Sequence, residues 1–258
     1  MDTNTETYSL PKVIKHYAEY SEKLQNPEKT IFEFLRKNLQ QMKMLDIGVG
    51  AGRTTIHFAP HVKEYIGIDF SAGMINVCKE KFKTTIPSAK FEVADVRNLS
   101  QFSTGYFDFV FFSFNGLDTI SHEERIIALK EIKRICSPNS YFCFSSHNLQ
   151  CLPDFFKIRF RLHPIKFLKS LINRKKLIEH NQEEIDKLAT SGYLSIYDDV
   201  YDFGLHTYYI RPSFQVEQLK AIGFSTIQIF DLTKGKELTQ AEQFDQSKDS
   251  WIYYLCSP

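Results

Sequence analysis

A doubly wound, mostly parallel α/β sheet is the fold class this sequence predicts, and three observations predict it. Short apolar runs alternate with helix-like segments from residue 44 to residue 145, the first run ends in a glycine-rich turn, and the next two end beside the carboxylates Asp69 and Asp95. Strand–helix–strand repetition implies parallel strands joined by right-handed crossovers, with both faces of the sheet covered. Such a sheet holds ligands beyond the carboxyl ends of its strands.

Taken in order, Ile14, Tyr17, Leu24, Ile31, Phe34, Leu35 and Leu39 recur at roughly helical spacing with a break at Asn26-Pro27, which predicts two helices before the first strand. Met44–Ile47 is the first strand, and Tyr65–Ile68, Phe91–Ala94, Phe107–Phe112 and Tyr141–Ser145 are the next four. Between them Arg53–Phe58, Ala72–Phe82 and Glu123–Ile135 read as helices. From Cys151 to Tyr201 the chain is rich in Phe, Lys and Glu, is helical in character and shows no buried-strand run, so an inserted helical cap is expected. The core resumes with the helix Pro212–Ile222 and its stop at Gly223, the strand Ser225–Asp231, a polar excursion over Thr233–Lys248 and the strand Trp251–Cys256. The expected divisions are 1–149 for the N-terminal helices and the ligand-binding part of the core, 150–203 for the cap and 204–258 for the rest of the core.

Composition narrows the class of partner. With 32 basic against 31 acidic residues in 258, no overall field favours nucleic acid or an anionic membrane, so any such partner must be met by a local patch. Cys78, Cys136, Cys143, Cys151 and Cys256 show no C-x-x-C spacing, which suggests a reducing compartment, and no metal site is expected. Met1–Tyr8 is polar and acidic, unlike a secretory signal, and the longest apolar run, Phe107–Phe114, is too short to span a bilayer. A cytoplasmic protein without an integral membrane segment is expected; its oligomeric state stays open.

The run Met44-Leu45-Asp46-Ile47-Gly48-Val49-Gly50-Ala51-Gly52-Arg53 reads as a buried strand, a glycine turn and a helix start, which is the form of a nucleotide cradle. The spacing is G-x-G-x-G rather than G-x-G-x-x-G, and Asp46 adds negative charge where a pyrophosphate would sit, so a cationic or zwitterionic ligand fits better. Asp69 stands where a carboxylate accepts from ribose hydroxyls, and Asp95, between small apolar residues, where one accepts from an adenine amino group. The plainer alternatives are helix caps for Asp46 and Asp69 and a loop carboxylate for Asp95.

These residues resemble the class I S-adenosylmethionine-dependent methyltransferase family. The resemblance runs from about Met42 to His147 and resumes near Arg211, on the motifs Leu45–Gly52, Gly67-Ile68-Asp69-Phe70-Ser71, Ala94-Asp95-Val96 and Phe107-Asp108-Phe109-Val110. It implies a seven-stranded, Rossmann-like methyltransferase sheet whose last strand, here Trp251–Cys256, runs antiparallel. It also implies S-adenosylmethionine as cofactor. Gly48 and Gly50 would pack against methionine and ribose, Asp69 would hold the ribose, Asp95 and Val96 the adenine, and Ser113, Phe114 and Asn115 would lie on the methionine side. Tyr20, Asp46, Val49, Arg53, Phe70, Ser71, Met74 and Ala94 complete the expected cofactor-binding set. Val49 stands where Cys or Ser is frequent in the family. Arg53 either reaches the methionine carboxylate or decorates an exposed helix face.

In such chemistry the protein mainly aligns the acceptor and excludes water. Tyr17, Tyr20 and Phe114 are aromatic candidates for holding a sulfonium, with core packing as the alternative. For a hydroxyl acceptor a general base is useful, and His147 at the end of the fifth strand is preferred over His206, with a structural role as the alternative for each. Asp118 and His122 also follow the fourth strand.

Asp154 to Lys176 interleaves apolar residues with Lys157, Arg159, Arg161, Lys166, Lys169, Arg174, Lys175 and Lys176, and the acids Glu179, Glu183, Glu184 and Asp186 follow. A helical hairpin with paired charges over the site is the plainer reading; contact with an anionic membrane, nucleic acid or acidic substrate is the other. Methyl transfer to a hydroxyl or amine of a small molecule is therefore expected, with tRNA or another RNA as the alternative acceptor and a nicotinamide-dependent oxidoreductase as the more distant one. Ser113-Phe114-Asn115-Gly116 stands where an N-P-P-Y-type motif would mark methylation of planar amines.

Overall fold

The structure, a computed structural model, describes residues 3–20, 22–158, 163–198, 201 and 203–258. Three helices precede the sheet: α1 (Thr3–Tyr8), α2 (Pro11–Ala18) and α3 (Asn26–Leu35). The last two are the expected pair, and α3 starts at the Asn26-Pro27 break because Gln25 and Glu28 form a reciprocal capping box with Pro27 in the first turn. Residues 1–8 carry no apolar periodicity, yet α1 forms. Its order comes from distant partners: Asn4 Nδ2 donates to the Thr119 and His206 carbonyls (2.6 and 2.8 Å), and Thr7 Oγ1 donates to that of Gly204 (2.7 Å).

The core then alternates as expected: β1 (Lys43–Ile47), α4 (Thr55–Phe58), β2 (Glu64–Asp69), α5 (Ala72–Phe82), β3 (Lys90–Val93), β4 (Phe107–Phe112), α6 (His122–Ile135) and β5 (Cys136–Asn148). Neighbouring side chains on β4 go to opposite layers. Val110 joins Leu45, Phe142 and Phe144 under α6, whereas Phe109 and Phe111 join Met44, Ile31 and Phe58 under α3 and α4. This two-faced burial is why the parallel strands read as unbroken apolar runs. Helix α6 begins at a Ser121–Glu124 capping box and ends with Lys133 and Arg134, which complement its dipole.

After β5 come α7 (Pro164–His180), α8 (Gln182–Lys187), β6 (Tyr193–Tyr197) and β7 (His206–Ile210). Here the expectation of a purely helical insert is corrected. Leu194 and Ile196 are buried while Tyr193, Ser195 and Tyr197 face outward, a period-two pattern that packs β6 antiparallel on β7. Five residues with polar and aromatic outward positions were too short a signal against the helical stretch before them. Arg159, Phe160, Arg161 and Leu162 of the basic stretch lie outside the described residues.

The chain closes with α9 (Pro212–Ile222), β8 (Ser225–Asp231), α10 (Ala241–Phe244) within the polar excursion, and β9 (Trp251–Ser257). Strand β9 lies antiparallel to both β5 and β8, as expected of the last strand. The seven-stranded core therefore reads β3-β2-β1-β4-β5-β9-β8, and β7 and β6 extend it to nine strands among the described residues, with β7 pairing β5 at His147↔Tyr209 and Asn148↔Ile210. The strand order reverses at β1, between β2 and β4, and the ligand crevice of a doubly wound sheet belongs above that point.

Candidate active site

The crevice lies at the carboxyl ends of β1 to β4. Leaving β1, Gly48 and Gly50 take φ of +62° and +53°, which turns the Gly50 N–H onto Asp69 Oδ2 at 2.9 Å. Asp69 Oδ1 accepts from the Ser71 N–H at 2.9 Å, so one carboxylate at the end of β2 fixes both the glycine turn and the start of α5. Burial pushes its pKa up to about 6 against these two hydrogen bonds. A Cβ added at Gly50 would meet nothing nearer than the Gly48 carbonyl oxygen at 4.0 Å, so this side of the turn opens directly on the crevice.

Of the expected cofactor-binding residues, Gly48, Gly50, Asp69, Phe70, Met74, Ala94, Asp95, Val96, Ser113 and Phe114 come together as its lining. The others stand behind or beside it. Asp46 is buried under the turn, where it accepts from Thr54 Oγ1 (2.5 Å) and the Tyr65 hydroxyl (2.6 Å), and burial outweighs both to push its pKa up to about 6. Val49 turns its side chain into the core beside Gly67. Ser71 caps α5 through the Met74 N–H. Tyr20 packs edge-on against Phe114 and is half exposed.

Arg53 does not decorate an exposed helix face. Its guanidinium forms a bidentate pair with Glu28 of α3 at 2.7 and 2.6 Å, donates to Ser113 Oγ at 3.0 Å and lies 4.8 Å from the Phe114 ring centroid. Glu28 also accepts from the Tyr253 hydroxyl at 2.9 Å.

Asp95 is engaged within the lining. Arg97 closes on it through its main-chain N–H (2.8 Å), Nε (2.9 and 3.0 Å) and Nη2 (2.5 Å), while Nη1 reaches Glu124. Burial raises the Asp95 pKa, but the Arg97 hydrogen bonds outweigh it and hold the carboxyl below its ordinary value. Among the described lining residues Arg97 is thus the one cation, and it is already paired, so no free positive charge awaits a pyrophosphate.

Of the roof, sequence reasoning named only Tyr17. Asn4, Thr5 and Tyr8 of α1 close the crevice together with Tyr17 of α2, and Arg97, Gly116, Thr119 and Ile120 complete its wall. Tyr8 and Tyr17 are hydrogen-bonded through their hydroxyls, and burial raises both pKa values, that of Tyr17 to about 12. The Asp95-x-Arg97 spacing was a visible signal for one of these; for α1 there was none in the sequence.

Neither expected base lines this crevice. His147 lies behind it: Asp118 Oδ2 accepts from both its main-chain N–H (2.6 Å) and Nδ1 (2.8 Å), and Nε2 faces Asn115 Nδ2 at 3.2 Å. Asn115 is itself buried, with φ of +59°. Asp118 in turn pairs with the fully buried Arg125 at 2.5 Å. His206 is exposed in a second cleft between α6, α8 and β6, which it lines with His122 and Tyr193. That cleft shares Asn4, Thr119 and Ile120 with the first, and Asn4, bonded to the Thr119 and His206 carbonyls, stands between the two. Here His122 stacks on Tyr193 at 3.9 Å, and burial lowers its pKa.

Comparison with known proteins agrees with this geometry. Residues 44–139 match a family model described as a methyltransferase domain. Demethylmenaquinone methyltransferase of Staphylococcus aureus strain MRSA252 is 32% identical over 155 residues, 59% of this chain and 61% of that protein, and the strain JH9 protein is 31% identical over 154 residues, 58% and 60%. The chain thus spans about three-fifths of the length of these curated relatives. Among solved structures, a Pyrococcus horikoshii OT3 protein superposes with a TM-score of 0.60 at 20% identity, covering 98% of both chains. An S-adenosylmethionine-dependent methyltransferase from Mesorhizobium loti does so with 0.60 at 16%, covering 90% of this chain and 98% of its own. At such identities these structures speak for the fold.

Proposed function

The chain belongs to the class I S-adenosylmethionine-dependent methyltransferase family, and from that premise we propose that it transfers a methyl group to a hydroxyl or amine of a small molecule. The observation that carries this reading is the roofed crevice: Asn4, Thr5 and Tyr8 of α1 and Tyr17 of α2 cover it at the carboxyl ends of the strands. Among the described residues this roof favours a small acceptor over a large folded RNA. The curated relatives are named for demethylmenaquinone, which favours a small molecule over RNA as acceptor.

The residues present fit the cofactor. The open side of Gly50 gives backbone room, Asp69 has lone pairs left for ribose hydroxyls, and Val96 with Ala94 flanks an adenine position whose acceptor is Asp95. Arg97 keeps Asp95 ionised and must shift part of its grip as the amino group arrives. Tyr8, Tyr17 and Phe114 supply aromatic faces for a positive sulfur. When bound, the sulfonium supplies an electrophilic methyl group; the protein orients the acceptor behind it and keeps water out.

For a hydroxyl acceptor, proton removal falls to His206, which lines the adjoining cleft. His147 acts through Asn115 as a positioning residue. Family membership sets aside the nicotinamide-dependent alternative. Calorimetric titration with S-adenosylmethionine and with NADH, followed by methyl transfer assays on a metabolite extract and on tRNA, tests the reading. Cofactor binding with transfer to the small-molecule fraction is the expected outcome; transfer to tRNA alone would overturn it.

A further inference from the structure

Helix α7 carries branched aliphatic residues on the face turned away from the protein. Phe167, Leu171 and Leu177 pack inward, half to fully buried, whereas Ile165, Leu168 and Ile172 are 62, 58 and 50% exposed. Their i, i+3, i+7 spacing places them on one stripe, about 10 Å long at helical rise. Ile158, on the segment leading into the helix, is 61% exposed as well. Beside this stripe Lys166, Lys169, Lys175 and Lys176 are exposed, and Lys157, Lys166 and Lys169 line a groove of mixed polarity between α7 and residues 155–158.

The expected pairing of these cations with the following acids occurs only at Lys175 among the described residues. Among the described residues Lys175 meets Glu179 on its own helix at 3.6 Å and Lys157 meets Asp154 at 2.6 Å, but Lys166, Lys169 and Lys176 have no ion pair. In sequence, residues 155–178 contain eight Lys and Arg and no acid. An apolar stripe flanked by unneutralised lysines, whose long stems let the charge rise beside the stripe, has the chemistry of the bilayer interface. Nucleic acid would satisfy the charges but leave three aliphatic side chains in water.

We propose that the outward face of α7 docks on an anionic lipid bilayer, with Ile165, Leu168 and Ile172 entering the headgroup–acyl boundary and Lys166, Lys169 and Lys176 meeting lipid phosphates. This goes beyond the reading of the crevice and stands independently of it. The docking helix is tied to the sheet, since Asn181 at the end of α7 holds β6 through both the N–H and the carbonyl of Tyr197 (2.8 Å each).

The test is cosedimentation of the full chain with vesicles of equimolar phosphatidylcholine and phosphatidylglycerol, and with phosphatidylcholine alone. The wild type should bind the anionic vesicles and not the neutral ones. The variants I165S/L168S/I172S and K166E/K169E/K176E should each weaken that binding at least about tenfold. Thermal unfolding and calorimetry with S-adenosylmethionine should be unchanged in both, because these side chains are exposed and remote from the crevice, which keeps a failure here distinct from a failure of the proposed function. No cosedimentation of the wild type, full binding by the serine variant, or retention of tRNA in place of vesicles would each overturn the proposal.

Discussion

Arg53 and Glu28 form a buried, two-pronged ion pair that fastens α3 to the glycine turn, with N···O distances of 2.7 and 2.6 Å. Glu28 has no solvent exposure, and its remaining capacity is filled by the Tyr253 hydroxyl and the Gln25 N–H. Removing one partner leaves the other charge desolvated, so Glu28→Ala should cost about 3–5 kcal/mol in urea unfolding. The double variant with Arg53→Ala should lose distinctly less than the sum of the two single losses. Additive losses would show that the pair is not coupled and that α3 is held by its apolar contacts alone.

Asp46 and Asp69 both sit near a pKa of about 6, raised by burial from 3.8, and this sets a pH dependence. Between those values the folded state binds more protons than the unfolded one, so the protein gains stability as pH falls through 6 and loses it as pH rises. Each group contributes at most about 1.4 kcal/mol per pH unit. Asp95 and Glu124 act oppositely. Their pKa values are lowered, so their contribution is present above the ordinary carboxylate range and is lost as pH falls below about 4. The melting temperature of the ligand-free protein should therefore peak near pH 4, and Asp46→Asn or Asp69→Asn should flatten the slope between about pH 4 and 6. An unchanged slope in both variants would remove these two groups as its cause.

How much of this was legible in the sequence depends on where the partners lie. The parallel strands were readable because both faces are buried, so a run such as Phe107–Phe112 has no polar interruption other than Asp108. The strand-end carboxylate Asp69 was readable for the same reason, as the first charge after an apolar run, whereas Asp95 follows a run that already holds Glu92 and was readable from the small apolar residues on either side of it. Strand β6 was not, since its buried pair Leu194 and Ile196 alternates with Tyr and Ser at the end of a helical stretch. Helix α1 is held by Asn4 and Thr7 to carbonyls between 115 and 202 residues away, and no local pattern announces such bonds. Likewise the position of Arg53 was decided by Glu28, 25 residues upstream, rather than by its neighbours.

His147 should behave as a support for Asn115 rather than as a base. Its two nitrogens are taken by Asp118 and Asn115, and Asn115 sits with Phe114 in a left-handed stretch, φ +59° and +57°, that places Ser113 and Phe114 in the crevice. His147→Ala should weaken S-adenosylmethionine binding by about 1 kcal/mol, roughly fivefold, with His147→Gln recovering part of it. The pH–rate profile should keep its shape. Loss of its acidic limb in His147→Ala would instead make His147 the base, whereas the same loss in His206→Gln, with a fall of about a hundredfold in kcat, would confirm the assignment to His206.

Gly50 and Gly52 should fail in different ways when given a methyl group, although both belong to the same turn. At Gly52, φ is +80° and an added Cβ would stand 2.2 Å from Phe82 Cε2, inside a ring that is buried and stacked on Phe91. Gly52→Ala must therefore move a core aromatic as well as bear left-handed strain, a loss of about 2–4 kcal/mol in stability. At Gly50, φ is +53° but the added Cβ meets only the Gly48 carbonyl oxygen at 4.0 Å, so the fold bears the backbone strain of about 1–2 kcal/mol and little else. The methyl group then projects into the space the cofactor needs. Gly50→Ala should remain folded with its S-adenosylmethionine affinity reduced at least about tenfold, a change of about 1.4 kcal/mol by calorimetry. Wild-type affinity in a folded Gly50→Ala protein would mean that this turn does not cradle the cofactor, and the assignment of Asp69 to the ribose, which rests on the same turn, would fall with it.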